Sequence, residues 1–492
     1  MFWLAIFFCH SFMVKGQSTY VSGRVFLDKN GNSIYDKGER LLKNIPLSNG
    51  DTIIVSNCKG EFGLKVPFGS SLFPILPSNY DVHHKIKNAA FSYLGRFVED
   101  TVLSISIPLI EVEPKNKFRI GAIGDVQIDN LQEASYANKS LMSELLSRTD
   151  LDFHVFLGDL VNSDSKMESF VAGMIEQLKA SSWTVYGNHD RNYHAEHQDS
   201  TFNSYFGASH YAFNYGDVHF IVLNNVWSEG GRSYFGFISP EQIRFVKNDL
   251  SLVPEDKLVV ICQHIPMTHT RNKEDLFSVI GASRKVLILS GHTHRVGRHI
   301  FSDNIAELGV GASCGSWWTG ERYHFGVPHA LMQDGSPRNY FVIDFDGSDY
   351  SFRFKGIGMD ASQQMNIWVN GQDTIDTKVE TLQKLDNNCI VVNVYAASEH
   401  TKVYMNINNQ GWQAMERIKM TAPEVARIVA MNRSDVFPTK FSRKAALRSS
   451  GSPHLWMGNI PDTLQGRIGK IDILAFDDYG LEVTDHTLFL IK

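Results

Sequence analysis

Five short polar clusters, each placed directly after an apolar run, carry the residue types that could do chemistry in this chain. The apolar runs span residues 118–123, 153–157, 183–186, 258–262 and 286–289 and are typical of buried strands. The clusters that follow them are Gly124-Asp125-Val126-Gln127, Gly158-Asp159, Gly187-Asn188-His189-Asp190, His264-Ile265-Pro266 and Gly291-His292-Thr293-His294. Strands of this kind point their C-terminal ends at one edge of a sheet, where open α/β sheets place their ligands. We therefore expect the clusters to meet at such an edge.

The side chains collected in this way form a mixed set of oxygen and nitrogen ligands. The set contains two carboxylates, two amides and three imidazoles: Asp125, Asp159, Gln127, Asn188, His264, His292 and His294. These are too many ligands for one ion and suit two divalent ions. A carboxylate shared between two such ions holds them roughly 3.5–4 Å apart, a spacing that lets a metal pair clamp both oxygens of a phosphoryl displacement. The pattern therefore predicts hydrolysis of a phosphate ester.

The order of the clusters, GD-x-[HQ], GD, GNHD, H-x-P and GH-x-H, resembles that of the calcineurin-like metallophosphoesterase superfamily. The chain as a whole is similar to exported three-part phosphoesterases of that superfamily found in Bacteroidetes. The resemblance implies an α/β fold in which a central metallophosphoesterase sandwich of two mixed sheets is flanked by helices. It also implies β-sandwich domains at both the N-terminal and the C-terminal side of this core.

The resemblance further assigns roles to the clustered residues. The first metal ion would bind Asp125, Gln127 and His294, the second would bind Asn188, His264 and His292, and Asp159 would bridge the two. His189 would protonate the leaving oxygen, and Asp190 would orient His189 by accepting its ring N–H. Gln127 stands where the family most often has His, and its amide oxygen is a weaker ligand than imidazole. Mn²⁺, Fe and Zn²⁺ all suit this ligand set, and a monoesterase and a diesterase are both open.

Length and composition limit the domain organisation and the classes of partner. The 492 residues are 43% apolar and 20% charged, which is an ordinary globular composition in a chain too long for one core. The net charge of −6 and the absence of any long basic run argue against nucleic acid as a partner. The apolar run at residues 2–8 is too short to span a bilayer, so no transmembrane segment is expected.

We expect four segments along the chain. Residues 1–17 begin with an apolar run and reach small residues near Gly16, as in an export signal peptide, so the protein is expected in the periplasm, at the cell surface or outside the cell. Residues 18–112 alternate in short runs between turn residues, which predicts a β-sandwich module. Residues 113–349 hold the five clusters and form the phosphoesterase domain. Residues 350–492 return to alternating runs and are predicted to form a C-terminal β-rich domain.

A polar loop between the first two runs of the N-terminal module has the spacing of a calcium-binding loop. Side-chain oxygens fall at loop positions 1, 3, 5, 9 and 12, which are Asp28, Asn30, Asn32, Asp36 and Glu39. The match is incomplete, because Gly31 stands at position 4 and a serine at position 6. The alternative is a polar hairpin loop that binds no metal, and any calcium bound here would be structural.

Two further groups of residues are candidates for contact with the substrate, which we expect to be a small-molecule or glycan phosphate ester. Arg191 directly follows the GNHD cluster. Trp317 and Trp318 lie in the Gly-containing segment 311–320, which favours a loop that places aromatic rings near the mouth of the site, where they could stack on a sugar or a base. Alternatively, these rings cover the core. A surface protein that binds carbohydrate or phosphoglycan without catalysis is the competing function, and Gln127 is its only support.

Overall fold

The computed structural model describes residues 18–95, 102–386, 388–434, 443–461, 464, 466 and 468–491, and these residues build three pairs of β-sheets along the chain and one separate two-stranded sheet. The predicted signal peptide, residues 1–17, lies outside the described residues. Within the described ranges, no helix combines the length and the apolar character needed to cross a membrane.

The N-terminal pair of sheets consists of short strands, because turn residues interrupt the chain every few positions. Its strands are β1 (Ser18–Leu27), β2 (Pro46–Ser48), β3 (Ile53–Val55), β4 (Glu61–Pro67), β5 (Ser71–Pro74), β6 (Tyr80–Asp81), β7 (Ser92–Tyr93) and β8 (Val102–Glu111). They form two four-stranded sheets in the orders β4-β1-β8-β6 and β3-β2-β5-β7. Strand β4 shows the alternation of a half-buried strand, since it buries Phe62, Leu64 and Val66 and exposes the residues between them or leaves them half-buried.

The central pair of sheets carries the predicted site, and both of its sheets are mixed. The strands are β9 (Lys117–Ile123), β10 (Phe153–Phe156), β11 (Ser181–Thr184), β12 (Tyr211–Tyr215), β13 (Val218–Val222), β14 (Val226–Gly230), β15 (Ser233–Gly236), β16 (Leu258–Cys262), β17 (Val286–Ser290), β18 (Gly297–Ser302), β19 (Ile305–Gly309), β20 (Asn339–Asp346) and β21 (Asp349–Gly356). One sheet has the order β11-β10-β9-β20-β21 and the other β12-β13-β16-β17-β19-β18, and the two remaining strands, β14 and β15, form a separate two-stranded sheet. In the first sheet, β11, β10 and β9 are parallel, and β20 and β21 add two antiparallel pairings on one side. In the second sheet, β13, β16, β17 and β19 are parallel, and the edge strands β12 and β18 are antiparallel to their neighbours. The prediction of two mixed sheets is confirmed.

The two central sheets face each other across a core of aromatic rings. The ring of Phe153 in β10 lies 6.1 Å from that of Phe213 in β12 and 5.6 Å from that of Phe220 in β13. Strands β10, β16 and β17 are buried at every residue, as expected for strands covered on both faces. Helices cover the outer faces: α1 (Leu131–Ala137), a π-helical turn (Asn138–Met142), α2 (Ser143–Ser147), α3 (Glu168–Glu176), α4 (Ser200–Phe206), α5 (Pro240–Leu250) and α6 (Lys273–Ile280).

The C-terminal pair of sheets begins later than the sequence pattern suggests. Strand β21 pairs with β20 along its whole length, so the central sheet runs to Gly356, past the predicted boundary at residue 349. The C-terminal elements are β22 (Met365–Val369), β23 (Cys389–Val394), β24 (Lys402–Ile407), β25 (Trp412–Ala414), β26 (Glu416–Ile418), α7 (Pro423–Asn432), β27 (Leu455–Asn459), β28 (Ile468–Phe476) and β29 (Glu482–Leu490). They form sheets in the orders β22-β23-β27-β26 and β25-β24-β28-β29.

Polar contacts attach both flanking pairs of sheets to the central one. On the N-terminal side, the Arg244 guanidinium in α5 donates to both carboxylate oxygens of Asp51, at 2.9 and 2.8 Å. On the C-terminal side, the buried Arg298 guanidinium in β18 lies 2.8 Å from the carboxylate of Asp477. A charge pair without access to water is strongly held only when both partners are present, so Arg298 and Asp477 tie the C-terminal sheets firmly to the core.

Candidate metal centre

The loops that follow five central strands bring the predicted ligands to one place. Strands β9, β10 and β11 are neighbours in one sheet and end just before Asp125, Asp159 and Asn188. Strands β16 and β17 are neighbours in the other sheet and end just before His264 and His292. Because the two sheets face each other, the loops from both sheets meet at a shared edge, as expected for a ligand site in an α/β fold.

The carboxylate of Asp159 lies between two groups of predicted ligands. Its Oδ2 is 3.2 Å from Nε2 of His264 and also 3.2 Å from Nε2 of Gln127. One ligand atom each from Asp159, His264 and His292 lies within 4.8 Å of the other two. The Oδ1 of Asn188 is 3.1 Å from Nε2 of His264. Asp159 therefore contacts both groups, which is the position expected of a carboxylate shared by two cations.

Asp125 contacts His294, which is predicted to bind the same, first metal ion. Its Oδ1 lies 3.4 Å from Nε2 of His294, and its Oδ2 accepts a hydrogen bond from the backbone amide of His292 at 3.0 Å. The Oδ1 atom is buried and has no hydrogen-bond donor among the described residues. A buried carboxylate oxygen without a donor is costly unless a cation balances its charge. The arrangement of Asp125 and His294 therefore fits a metal ion.

Backbone carbonyls orient two of the three imidazoles. His264 Nδ1 lies 2.8 Å from the carbonyl oxygen of Leu157, and His294 Nδ1 lies 2.6 Å from that of Gly315. Since a carbonyl can only accept, each Nδ1 must carry the proton that it donates. The lone pair of each neutral ring is then on Nε2, the atom that faces the carboxylates. This is how proteins commonly prepare a histidine to bind a metal ion.

Backbone strain is concentrated at the predicted ligands. Five of the seven have positive φ angles: Asp125 (45°), Gln127 (42°), Asp159 (51°), His292 (73°) and His294 (50°). Residues other than glycine rarely adopt this conformation, which costs about 1–3 kcal/mol per residue and is found most often at functional sites. The glycines of the motifs permit the close approach of these loops, because a Cβ atom on Gly187 would lie 2.3 Å from the Asp159 carboxylate.

The charges of the cluster depend on one another. Burial would raise the pKa of Asp159, but the neighbouring His264, His189 and His292 outweigh it and hold this pKa well below its usual range. Burial lowers the pKa of His264, whereas the Asp159 carboxylate raises it, with a net result of about 9. Burial and the proximity of His264 lower the pKa of His292 to about 4, so His292 is neutral at pH 7 and free to bind a metal. A metal ion at His264 would take the place of its proton.

Comparison with known proteins agrees with this geometry. The family model described as calcineurin-like phosphoesterase matches residues 118–296, and the model described as the C terminal of calcineurin-like phosphoesterase matches residues 307–482. The chain belongs to the calcineurin-like phosphoesterases. It is thus a phosphoric ester hydrolase, and divalent metal ions are the class of cofactor that its family implies. Its donor set fits that requirement, since it combines carboxylate, amide and imidazole groups around a buried unpaired carboxylate oxygen.

Solved structures with partial likeness to the chain include two phosphatases and a 5'-nucleotidase. A dimetal phosphatase from Danio rerio has 15% identity and a TM-score of 0.35, and the match covers 50% of this chain and 97% of that one. A purple acid phosphatase from yellow lupin has 12% identity and a TM-score of 0.33, with 69% and 67% covered. A 5'-nucleotidase from Candida albicans has 11% identity and a TM-score of 0.31, with 48% and 50% covered. No curated protein matches the sequence significantly. The family assignment rests on the family models alone.

In this phosphoesterase, His189 and Asp190 are held differently from the prediction. The His189 Nδ1 lies 2.5 Å from the carbonyl oxygen of Asn162, which therefore orients the ring. The fully buried carboxylate of Asp190 instead accepts hydrogen bonds from the backbone amides of Leu160, Val161 and Gly187, at 2.7, 3.1 and 2.8 Å. The prediction that Asp190 accepts the ring N–H of His189 is wrong. Asp190 fixes the loops of the phosphoesterase that carry Asp159 and Asn188.

Arg191 is not placed to contact a substrate. Its side chain is 3% exposed and donates to three backbone carbonyls: those of Asn188 (2.8 Å), Ser233 (3.0 Å) and Arg232 (2.8 Å). These bonds connect the GNHD loop to the β14–β15 hairpin. The prediction of a substrate contact is corrected accordingly, because a buried guanidinium that is already bonded to three carbonyls has a structural role.

The two tryptophans separate into one exposed ring and one core ring. Trp318 is 2% exposed, and its Nε1 donates to the Val126 carbonyl at 3.1 Å, so it belongs to the core and not to the mouth of the site. Trp317 is 42% exposed and stacks on the ring of His294, with the ring centroids 4.6 Å apart. The alternative interpretation therefore holds for Trp318, and Trp317 remains the candidate for contact with a substrate.

The predicted calcium loop is closed by its own side chains. Asp36 Oδ2 accepts from the side-chain amides of Asn30 (2.8 Å) and Asn32 (2.9 Å). The carboxylates of Asp28 and Glu39 accept from backbone amides of the same loop. These contacts are compatible with a polar hairpin loop and with a loop that binds an ion, so calcium binding stays a prediction.

Two residues near the site, Tyr234 and Cys314, were not among the predicted site residues. Tyr234 of the β14–β15 hairpin places its ring 6.0 Å from that of His292, at an interplanar angle of 83°. The Sγ of Cys314 lies 3.5 Å from Gln127 Oε1, and burial raises the pKa of this thiol. Both residues reach the site through long-range packing, which strand periodicity does not reveal.

Proposed function

We propose that this protein is an exported phosphoesterase that hydrolyses small-molecule or glycan phosphate esters at a dinuclear metal centre. The observation that carries the proposal is the convergence at Asp159, whose carboxylate contacts both His264 and Gln127. The export part of the proposal rests on the N-terminal apolar run in residues 1–17.

In the proposed centre each predicted ligand has one task. The first metal would be held by Asp125, Gln127 and His294, the second by Asn188, His264 and His292, and both by Asp159. When bound, the two ions supply the Lewis acidity that activates water and balances charge on the phosphoryl group. The predicted ligands are oxygen and nitrogen atoms without thiolate, a set that suits Mn²⁺, Fe or Zn²⁺.

His189 is the proposed proton donor for the leaving oxygen. Because its Nδ1 donates to the Asn162 carbonyl, Nε2 is the atom left to give a proton. The ring is half-buried, whereas the neighbouring predicted ligands Asn188 and Asp159 are buried, so a substrate can reach His189. The backbone amide of His189 donates to Asp159 Oδ1 at 2.8 Å, which holds this histidine beside the shared carboxylate. A general acid in such a position contributes about 10²–10⁴-fold to the rate.

Hydrolysis of two chromogenic esters tests the proposal. The purified protein, incubated with Mn²⁺, Fe²⁺ or Zn²⁺, is assayed with p-nitrophenyl phosphate and bis-p-nitrophenyl phosphate, which also separates a monoesterase from a diesterase. Asp159→Ala is expected to abolish turnover, and His189→Ala to lower kcat by about 10²–10⁴-fold. His194→Ala is the matched control, because His194 is exposed and lies a few residues further along the same loop. Absence of turnover with every metal would contradict the proposal and favour a carbohydrate-binding role.

A further inference from the structure

A cavity of about 410 Å³ opens beside the predicted metal ligand His294. Its walls come from two parts of the chain: loops of the central sheets, including Trp317, and residues 446–448, which lie between α7 and β27 of the C-terminal sheets. We call residues 443–450 the docked segment. The volume of the cavity is in the range of small-molecule sites, and the shared position of His294 connects it to the metal centre.

Hydrogen bonds fix the docked segment to the central domain. The side-chain amide of Gln333 accepts from the backbone amide of Arg448 at 3.1 Å and donates to its carbonyl at 2.5 Å. Further contacts on either side join Ala446 N to Thr319 Oγ1 (2.8 Å), Arg443 Nη2 to the Trp317 carbonyl (3.1 Å) and Arg295 Nη2 to Ser450 Oγ (2.7 Å). The wall that the C-terminal part of the chain contributes is therefore held in place and not a chance contact.

The charge of this cavity is opposite to that of the whole chain. Its ten lining residues include two arginines, Arg295 and Arg448, and no aspartate or glutamate, although the net charge of the protein is −6. The guanidinium of Arg448 is exposed and has no ion-pair partner among the described residues. Arg295 uses one of its nitrogens to bond Ser450, which orients the guanidinium and leaves its other donors available.

Another part of the wall is aromatic and apolar. Trp317 is stacked on His294, so the indole is oriented by a residue of the metal centre. Leu447 lines the cavity together with Trp317. A ligand that extends from the metal centre into this cavity would meet an apolar surface next to His294. It would also meet the guanidinium groups of Arg295 and Arg448, which have no ion-pair partner among the described residues.

We propose that this cavity binds the alcohol part of the phosphate ester and that Arg295 and Arg448 select esters whose alcohol part carries a second anionic group, a carboxylate or a phosphate. This inference rests on the proposed function, because the first phosphoryl group is placed at the metal centre. Guanidinium groups recognise both anions through paired N–H donors, and charge-assisted bonds of this kind are about twice as strong as neutral ones. The C-terminal sheets thus contribute directly to substrate selection through the docked segment.

Three aryl phosphates of similar shape test the proposal: phenyl phosphate, 4-carboxyphenyl phosphate and 1,4-phenylene bisphosphate. Release of inorganic phosphate gives kcat/KM for each with the metal-loaded full chain. The two charged esters are expected to exceed phenyl phosphate by about tenfold, the value of one charge-assisted bond, and comparison between them distinguishes a carboxylate site from a phosphate site. Arg448→Gln and Arg295→Gln should each reduce that preference, whereas Lys444→Gln should keep it, because Lys444 is an exposed cation of the docked segment that does not line the cavity.

The outcomes separate the two proposals. If phenyl phosphate is hydrolysed but the charged esters show no preference, or the preference survives both arginine substitutions, the anion site is refuted and the phosphoesterase proposal stands. If no ester is hydrolysed, calorimetry with phenylphosphonate and 4-phosphonobenzoate decides the anion site independently. Tighter binding of 4-phosphonobenzoate that is lost in Arg448→Gln would support the site, and equal binding of the two phosphonates would refute it.

Discussion

Replacing the carboxylate of Asp190 should loosen the loops that carry Asp159 and Asn188. The structure has its carboxylate accepting three backbone amides, from Leu160, Val161 and Gly187, with no exposure to water. Asp190→Ala would leave all three donors unsatisfied. Each such group costs about 1–3 kcal/mol, and partial relaxation of the loops brings the expected loss of stability to about 3–5 kcal/mol.

The conservative substitution separates charge from hydrogen bonding. In Asp190→Asn, the remaining oxygen can keep the bonds from Leu160 and Val161, while the new amide group faces the N–H of Gly187. One bond is lost, so the expected cost is about 1–2 kcal/mol. Burial, together with the proximity of Asp159, raises the pKa of Asp190 to about 7, so part of its charge is already absent at neutral pH and the isosteric amide is tolerated better than alanine.

Urea unfolding of the full chain, with and without Mn²⁺, measures these differences. Both variants should also bind metal about 10–100-fold more weakly, since Asp190 positions the loops that carry Asp159 and Asn188. Asp164→Asn is the control, because Asp164 is an exposed helix cap at which Asn serves equally well. If Asp190→Ala lost less than about 1 kcal/mol while its pH–rate profile matched that of His189→Ala, the sequence-based role of Asp190 would be restored.

Three further results are expected elsewhere in the molecule. Arg298→Met should lower the free energy of unfolding in urea by about 3–5 kcal/mol, because it leaves the Asp477 carboxylate buried without its ion-pair partner. Lys117→Met breaks an exposed ion pair and should change the stability little, so equal effects of the two substitutions would contradict this expectation. Burial raises the pKa of Glu307 from 4.5 to about 7, so the stability that this side chain contributes should be fully present below about pH 4.5 and be lost as the pH rises to about 7. Over this range the melting temperature of Glu307→Gln should fall less than that of the parent, and identical pH profiles would count against this expectation. Added Ca²⁺ should raise the melting temperature of the full chain but not that of Asp36→Asn, and no shift in the parent would rule out the calcium loop.

The positions of the predicted ligands along the fold were available from the sequence. Short apolar runs followed by polar clusters predict strands and the loops after them, and a one-edge arrangement follows from the direction of parallel strands. The order of the same clusters carries the resemblance to the phosphoesterases, and that resemblance implied the two mixed sheets. These inferences succeed because they depend on local spacing, which each stretch of sequence carries by itself.

The tertiary structure decided which partner each polar side chain finds. Asp190 bonds the loop after β10 and not its neighbour His189, and Arg191 bonds the β14–β15 hairpin and not a substrate. Strand β21 continues the central sheet because it pairs with β20, not because its own pattern differs from that of the strands after it. In the same way, Gln333 and the other contacts of the docked segment place Arg448 at the cavity beside His294. Such contacts join residues far apart in the chain, and buried polar groups take whichever partner the packed fold brings within reach.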